Sequence, residues 1–192
     1  HVEPLKPEQT RLFLAHVRGD RLEALYWVAV GLGLRQGELL GLLWSDVDLD
    51  DQTLTIRHAL QRVENPDYDG SERPEGGMQP PKTVPRLVEP KTASSWRTLD
   101  IPAVVVAKLR EHRARQNRER LQMADAWTDA GFVFTTELGT PLDGCNVTKY
   151  FQRRLSEAGI KLDSPKDIAI TAKGKISVEA VGEVNLKSTA AD

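Results

Sequence analysis

Residues 22–34 form an almost wholly apolar run, LEALYWVAVGLGL, in a chain of 192 residues whose hydrophobic content is 40%. A run of this length and composition predicts a buried helix, Arg21–Leu34. A chain of this size can bury one good core, with at most a small appendage. Arg35 follows the run directly, so a rigid buried element would carry its side chain.

Arg35 has two interpretations from the residues alone. An arginine just past a helix end is most often a cation that interacts favourably with the negative end of the helix dipole. Held on a rigid support, the same guanidinium group is also suited to bind a phosphate. Gly37 is expected to mark a break before a second short helix, Glu38–Leu43.

The rest of the sequence predicts helices mixed with short strands. In the last predicted helix, Tyr150 has the spacing of an inward-facing residue beside Phe151 and Leu155, so it is expected to be a packing residue. The expected elements are, in order, a helix after Pro7 with Leu12, Phe13 and Val17 inward, a strand at 53–60, an irregular Pro- and Gly-rich loop at 61–88, a strand at 96–101, a helix from Pro102 to about Met123, and a helix that Asp143 caps and that ends at Gly159.

Three segments in order resemble one protein family. The pattern R-x-G-E-L-x-x-L-x-W-x-D-V-D at Arg35–Asp48 resembles the first catalytic box of the tyrosine recombinases, the phage integrase family. The segment PKTASSWRTLDIP, Pro90–Pro102, resembles the hairpin that carries the catalytic lysine of that family, and Gly131–Ile160 resembles the segment that leads into its second box. The resemblance implies an α+β fold, a mainly helical integrase-like catalytic domain with a small antiparallel β-sheet.

The resemblance also implies a chemistry. In the family reaction a tyrosine attacks a phosphodiester of double-stranded DNA, without a metal, nucleotide or other small-molecule cofactor. Arg35 would be the first of two arginines that stabilise the charge of the transition state, and Lys91 would protonate the leaving 5′ oxygen. Glu38 is expected to support Arg35, because a carboxylate three residues further along a helix can lie beside it.

Other basic residues compete for these roles. Lys82 is also followed by threonine, but Lys91 is preferred because the strand signature Trp96–Pro102 follows it at the family spacing, whereas Lys82 lies in the Pro-rich loop. Without the resemblance, a lysine in a turn is usually a solvated charge. Arg97 and His58 are expected to contact phosphate at most.

The run KLREHRARQNRER, residues 108–120, carries six basic residues and two glutamates. One interpretation is a DNA-contacting surface that includes Arg110 and Arg113; the other, slightly favoured, is a solvated helix face. A formal net charge of −2 means that any DNA contact must come from such a local patch.

The family pattern is not matched beyond residue 160. The H-x-L-R-H box is not found, and no arginine follows Arg154 and no tyrosine follows Tyr150, so no nucleophile is identified. Strand cleavage is therefore not expected of the sequence as written. Residues 1–160 are interpreted as a partial catalytic domain, and residues 161–192 as a β-rich tail of foreign origin that resembles, weakly, the β-helical repeats of spike proteins.

Two functions follow as hypotheses. The first is a DNA-binding catalytic-domain fragment of a site-specific recombinase, whose ancestral work is DNA integration. The second is an assembly protein that forms homo-oligomers by strand pairing of its tail. A single cysteine, Cys145, excludes an internal disulfide and fits a cytoplasmic location. No membrane span or signal peptide is recognised.

Overall fold

The computed structural model describes residues 4–68, 80–89 and 96–160. Residues 161–192, where the β-rich tail is expected, lie outside this range. The described residues form helices α1 (Pro7–His16), α2 (Glu23–Leu32), α3 (Gln36–Leu40), α4 (Ala103–Met123) and α5 (Gly144–Glu157), strands β1 (Val47–Asp48), β2 (Thr53–Ile56), β3 (Ala59–Glu64), β4 (Thr83–Val88) and β5 (Arg97–Asp100), and two short 3₁₀ turns at Trp44–Asp46 and Ala124–Ala126.

The apolar run forms α2 at the centre of the core, as its composition predicts. Phe13 of α1 packs edge-on against Tyr26 and against Phe151 of α5, with ring centroids 5.0 and 5.1 Å apart. Burial of these rings stabilises the contacts of α2 with its neighbours. The helix ends where Gly33 adopts a left-handed backbone conformation with φ 61°.

Helix α1 begins at Pro7, as predicted, but the prediction that three of its residues lie in the core is wrong for one of them. Phe13 and Val17 are buried, whereas Leu12 is 52% exposed. Residues four apart share one helix face, and Leu12 lies about 100° around the helix from Phe13. The apolar face is therefore narrower than the sequence pattern suggests.

A small antiparallel sheet has the order β1-β2-β5. Leu54 of β2 pairs with Val47 on one side and with Leu99 on the other. The single strand expected at 53–60 is wrong, because the chain leaves this sheet after Ile56 and starts β3 at Ala59. The two strands therefore belong to different sheets.

The loop expected at 61–88 is also wrong in part, because its two ends form a β-hairpin. Strands β3 and β4 pair antiparallel over six residues each, from Ala59 opposite Val88 to Glu64 opposite Thr83. Pro85 lies within β4, opposite Arg62. Proline cannot donate a ladder hydrogen bond, but a two-stranded sheet has only edge strands, where that loss is tolerated.

Helix α4 covers the range predicted from Pro102 to Met123. Its buried polar residues hold the segment after it in place. Gln116 accepts a hydrogen bond from the Trp44 indole at 2.7 Å and donates to the carbonyl oxygens of Phe132 and Val133. His112 Nε2 lies 2.7 Å from the same Val133 oxygen. The Trp44 end of the recombinase-like motif is thus fixed to α4.

Helix α5 starts as predicted, with the Asp143 carboxylate accepting hydrogen bonds from the backbone of Cys145 and Asn146. The inward orientation expected for Tyr150 is wrong, since this residue is 48% exposed. The stripe that faces the core is formed by residues at four-residue intervals, buried Val147 and Leu155 with partly buried Phe151 between them, and Tyr150 lies to one side of it.

The α+β fold class, mainly helical with a small antiparallel sheet, is confirmed. No helix among the described residues has both the length and the apolar composition needed to cross a bilayer.

Candidate functional site

Arg35 lies between two helices rather than at the end of one. Gly33 terminates α2, and Arg35 is the extended residue that precedes α3, with φ −64° and ψ 149°. The Arg35 backbone N–H donates to Glu38 Oε2 at 3.0 Å, which satisfies one of the free donors at this helix start. The break expected at Gly37 is wrong, because Gly37 lies inside α3 and the chain breaks at Gly33 instead.

Glu38 joins two arginines that are distant in sequence. Arg97, the first residue of β5, donates from Nη1 to Glu38 Oε1 at 3.1 Å and from Nη2 to Oε2 at 2.8 Å. Arg35 Nη1 donates to Oε1 at 3.1 Å. The Arg97 hydrogen bonds hold the pKa of Glu38 below its usual 4.5, against the effect of burial, and the same contact raises the pKa of Arg97. We call these three residues the Glu38 cluster.

The members of the Glu38 cluster differ in exposure. The side chain of Glu38 is 10% exposed and that of Arg97 is 37% exposed, whereas that of Arg35 is 83% exposed. Arg35 therefore touches its carboxylate partner with one nitrogen and presents most of its guanidinium group to the surface. A charge held in this way is available to an external anion.

Two glycines bring α3 against the hairpin. A β-carbon at Gly41 would lie 2.7 Å from the Leu60 backbone nitrogen, and one at Gly37 would lie 3.1 Å from the Leu60 oxygen. Gln36 ties the other side of α3 to α5, because its amide donates to the Gly144 oxygen at 3.0 Å and to the Thr148 hydroxyl at 2.9 Å. The backbone that carries Arg35 is thus held from two sides.

The two lysine candidates differ in how they relate to the described residues. Lys91 lies outside them. Lys82 lies next to Thr83, and its carbonyl oxygen accepts from the Asn65 backbone at 2.9 Å. This is the end of the hairpin opposite to Val88, roughly 17 Å along the strand from the end that packs near Gly41. Lys82 therefore lies at the hairpin end away from the contact with Gly41.

Arg110 and Arg113 are not brought together with Arg35. Arg110 donates to the Leu49 carbonyl at 2.9 Å and to the Asp50 carboxylate at 2.8 Å. The Arg113 guanidinium carbon lies 4.9 Å from the Trp44 ring centroid. Asp50 precedes the Thr53 end of β2, whereas Arg97 is paired with Ile56 at the other end, roughly 10 Å along the strand.

The remaining cations of the predicted basic run also contact acceptors of their own chain. Such pairing favours the solvated, structural interpretation of this helix over a free phosphate-binding surface. The contacts are Lys108 with Glu23 and Glu111, Arg115 with the Asp20 carbonyl, Arg118 with the Ala114 carbonyl, and Arg120 with Asp129.

Sequence reasoning missed a second buried carboxylate near the candidate site. The side chain of Asp46, the aspartate of W-x-D in the motif, is 3% exposed and lies 3.5 Å from Arg57 Nη1 and 3.6 Å from His58 Nδ1. Arg57 and His58 link β2 to β3. The pairing of Arg97 with Glu38 was missed as well, because 59 positions separate the two residues and no local spacing reports such a contact.

Comparisons with known proteins identify relatives of this chain. No protein-family profile matches the chain. The chain is 36% identical over 162 residues to a tyrosine recombinase XerC-like protein of Caldanaerobacter subterraneus subsp. tengcongensis, an alignment that covers 83% of this chain and 39% of that protein. It is 32% identical over 163 residues to an integrase of Streptomyces ambofaciens, with 83% and 38% covered.

Solved structures share the fold. The Tn1549 transposon integrase in complex with transposon right end DNA matches with a TM-score of 0.58 and 24% identity, over 81% of this chain and 44% of that one. The XerA recombinase matches with a TM-score of 0.56 and 19% identity, over 84% and 45%. These comparisons do not support the alternative of an assembly protein. The chain spans less than half the length of these relatives, and by sequence and by fold it belongs to the tyrosine recombinase family.

Proposed function

We propose that this chain forms part of the DNA-binding surface of a site-specific tyrosine recombinase that acts in DNA integration and recombination, and that Arg35 binds a phosphate of the DNA backbone. The observation that carries the proposal is that Arg35 is both held in place and exposed. Its backbone and one guanidinium nitrogen are fixed by buried Glu38, while its side chain is 83% exposed. A fixed and accessible guanidinium group loses little conformational freedom when it binds an anion.

The proposed role of Arg35 is electrostatic. A guanidinium group presents parallel N–H donors that match two oxygens of one phosphate. Donors that are held in place before the reaction stabilise developing negative charge without having to reorganise. The proposed role of Arg35 is therefore to bind the phosphate and to stabilise its charge.

We propose Lys91 rather than Lys82 as the lysine that shares this phosphate. Val88, the last residue of β4, pairs with Ala59, and a β-carbon at Gly37 would lie 3.6 Å from the Ala59 side chain. Lys91 follows Val88 by three residues, which can span at most about 11 Å. The reach of the chain is therefore compatible with a lysine near α3, whereas Lys82 is at the opposite end of the hairpin.

Arg110 and Arg113 remain proposed phosphate contacts of lesser weight. Each would have to exchange a contact within the chain, with Asp50 or with the Trp44 ring, for a contact with DNA. The lost contact offsets part of the gain, so each is expected to contribute less than Arg35.

A cytoplasmic location, self-association and a separate domain at residues 161–192 also stay proposals.

Salt-dependent DNA binding tests the proposal. Fluorescence anisotropy of a labelled duplex of arbitrary sequence would be measured with the full chain at several salt concentrations. Each phosphate contact contributes about 0.9 to the slope of log affinity against log salt. We expect Arg35→Ala to weaken binding and to reduce the slope by about 0.9, the value of one phosphate contact. The double variant Arg35→Ala with Lys91→Ala should reduce the slope by the value of about two contacts.

Arg11→Ala is the matched control, because it removes the same charge from an exposed position on α1, which is not part of the Glu38 cluster. If Arg35→Ala and Arg11→Ala change the affinity and the slope equally, Arg35 is an ordinary surface charge and the proposal fails.

A further inference from the structure

Arg97 uses both oxygens of Glu38. Its two terminal nitrogens donate at 3.1 and 2.8 Å to Oε1 and Oε2, which is the paired geometry that arginine and carboxylate groups prefer. Arg35 has only one side-chain contact with Glu38, from Nη1 to Oε1 at 3.1 Å. The buried carboxylate is thus shared unequally, with Arg97 as its main partner.

The position of Arg97 is set by the sheet. Arg97 is paired with Ile56 in the β2–β5 ladder, and the other three residues of β5 continue the same register to Asp100. The backbone of Arg97 is therefore fixed independently of Arg35. The backbone of Glu38 is fixed by α3, which packs closely on Leu60 through Gly37 and Gly41. The fork between Arg97 and Glu38 joins two rigid elements.

We propose that Arg97 is a positioning residue: by occupying Glu38 it limits Arg35 to a single contact with that carboxylate and so keeps the Arg35 guanidinium group available for a DNA phosphate. This inference rests on the proposed function of Arg35. It differs from a direct contact between Arg97 and DNA, because it concerns the two N–H donors that bind Glu38 and not the three that remain.

Competition for Glu38 is the physical basis of this role. A carboxylate that is 10% exposed carries a high cost if it is left without a cationic partner. If Arg97 were removed, Arg35 would be the arginine remaining in the Glu38 cluster, and a two-point pairing with Glu38 would satisfy the buried charge. Arg35 would then be drawn toward the protein, and a phosphate would have to compete with Glu38 for it.

The salt slope of DNA binding distinguishes this role from the two simpler ones. The slope counts phosphate contacts and does not report the stability of the fold. With the full chain and the same labelled duplex, we expect Arg97→Ala to reduce the slope by about 0.9, as Arg35→Ala does, and the double variant to reduce it no further than either single variant. Circular dichroism at each salt concentration verifies that every variant is folded.

Two results would overturn the inference while leaving the role of Arg35 intact. If the double variant loses about twice the slope change of Arg35→Ala, Arg97 makes a phosphate contact of its own. If Arg97→Ala leaves the slope unchanged, its role is only structural. If Arg35→Ala itself leaves the slope unchanged, the proposed function fails as well, so the two failures can be told apart.

Arg97→Lys is the second variant, which preserves the charge in case Arg97→Ala does not fold. A lysine that contacts DNA as a point charge would keep the slope of the native protein. A lysine cannot form the two-point fork with Glu38, so a positioning role predicts that the slope in Arg97→Lys falls toward that of Arg35→Ala. A slope equal to that of the native protein contradicts the positioning role.

Discussion

The backbone of Leu60 lies so close to Gly41 that a β-carbon at position 41 would be 2.7 Å from the Leu60 nitrogen. Because the obstructing atom belongs to the backbone of β3, it cannot move aside as a flexible side chain would. We expect Gly41→Ala to lower the free energy of unfolding by about 1–3 kcal/mol, measured by urea denaturation.

Gly37→Ala serves as the graded comparison for Gly41→Ala. Its β-carbon would lie 3.1 Å from the Leu60 oxygen, a milder conflict. Alanine also gains about 1 kcal/mol over glycine inside a helix such as α3, so the net change should be near zero. An equal loss in both variants would show that the approach of α3 to β3 is not what makes glycine necessary at position 41.

Glu38→Gln should reduce the acid sensitivity of the fold. The pKa of Glu38 is held below 4.5 by Arg97, so the unfolded chain binds a proton more readily than the folded one. The contribution of Glu38 to stability is present above pH 4.5 and is lost as the pH falls through the lowered pKa. We expect the native protein to lose more stability than Glu38→Gln as the pH is lowered from about 5 to about 3.

The same variant should also be less stable at neutral pH, by about 2 kcal/mol, because hydrogen bonds to a charged carboxylate are replaced by bonds to an amide. Other carboxylates titrate in the same acid range, so the test is the difference between the two pH profiles from urea denaturation. Parallel profiles would mean that Glu38 does not change its pKa on folding.

His112 predicts a second, separate pH dependence. Burial lowers the pKa of this imidazole below its ordinary 6.5, and its Nδ1 atom is buried without a hydrogen-bond partner among the described residues. The unfolded state therefore takes up a proton first, and stability should fall as the pH drops below 6.5. Unfolding measured between about pH 7.5 and about pH 5.5 should show this loss in the native protein and a smaller one in His112→Gln.

His16→Gln is the control for His112. The side chain of His16 is 32% exposed, and its replacement should leave the pH dependence that we assign to His112 in place. If His16→Gln removes the dependence and His112→Gln does not, the assignment to His112 is wrong.

Tyr150 and Leu155 test the orientation of α5. Tyr150 is 48% exposed and contacts Arg153, whose guanidinium carbon lies 5.0 Å from its ring centroid, whereas Leu155 is 1% exposed. We expect Tyr150→Ala to cost about 0.5 kcal/mol and Leu155→Ala about 3 kcal/mol in urea denaturation. Equal losses would indicate that Tyr150 packs inward, as its sequence spacing suggested.

The elements that sequence could predict are those with local signals. The apolar composition of α2, Pro102 before α4 and the Asp143 cap of α5 each depend on residues within one or two helical turns. The β3–β4 hairpin was not predictable in this way. Its pairing partners are up to 29 positions apart, from Ala59 to Val88, and the proline in β4 is a residue type that predicts a loop rather than a strand.

In the candidate site, too, contacts between residues close in sequence could be predicted and contacts between distant residues could not. Glu38 beside Arg35 was predictable because Glu38 lies only three positions after Arg35, in the first turn of α3. The contact of Arg97 with Glu38 was not, because the β2–β5 register brings Arg97 to Glu38 and that register is a property of the whole sheet. The partners of the basic run on α4 were not predictable either, since most of its cations contact residues that are distant in sequence.

The Asp143 carboxylate contacts both helix α5 and the β3–β4 hairpin. Its carboxylate accepts the first backbone donors of α5 through Oδ1 and pairs through Oδ2 with Arg62 of β3, whose guanidinium group also donates to Thr83 on the facing strand. A substitution that removes the Asp143 carboxylate would therefore take away the cap of α5 and its link to the β3–β4 hairpin at the same time.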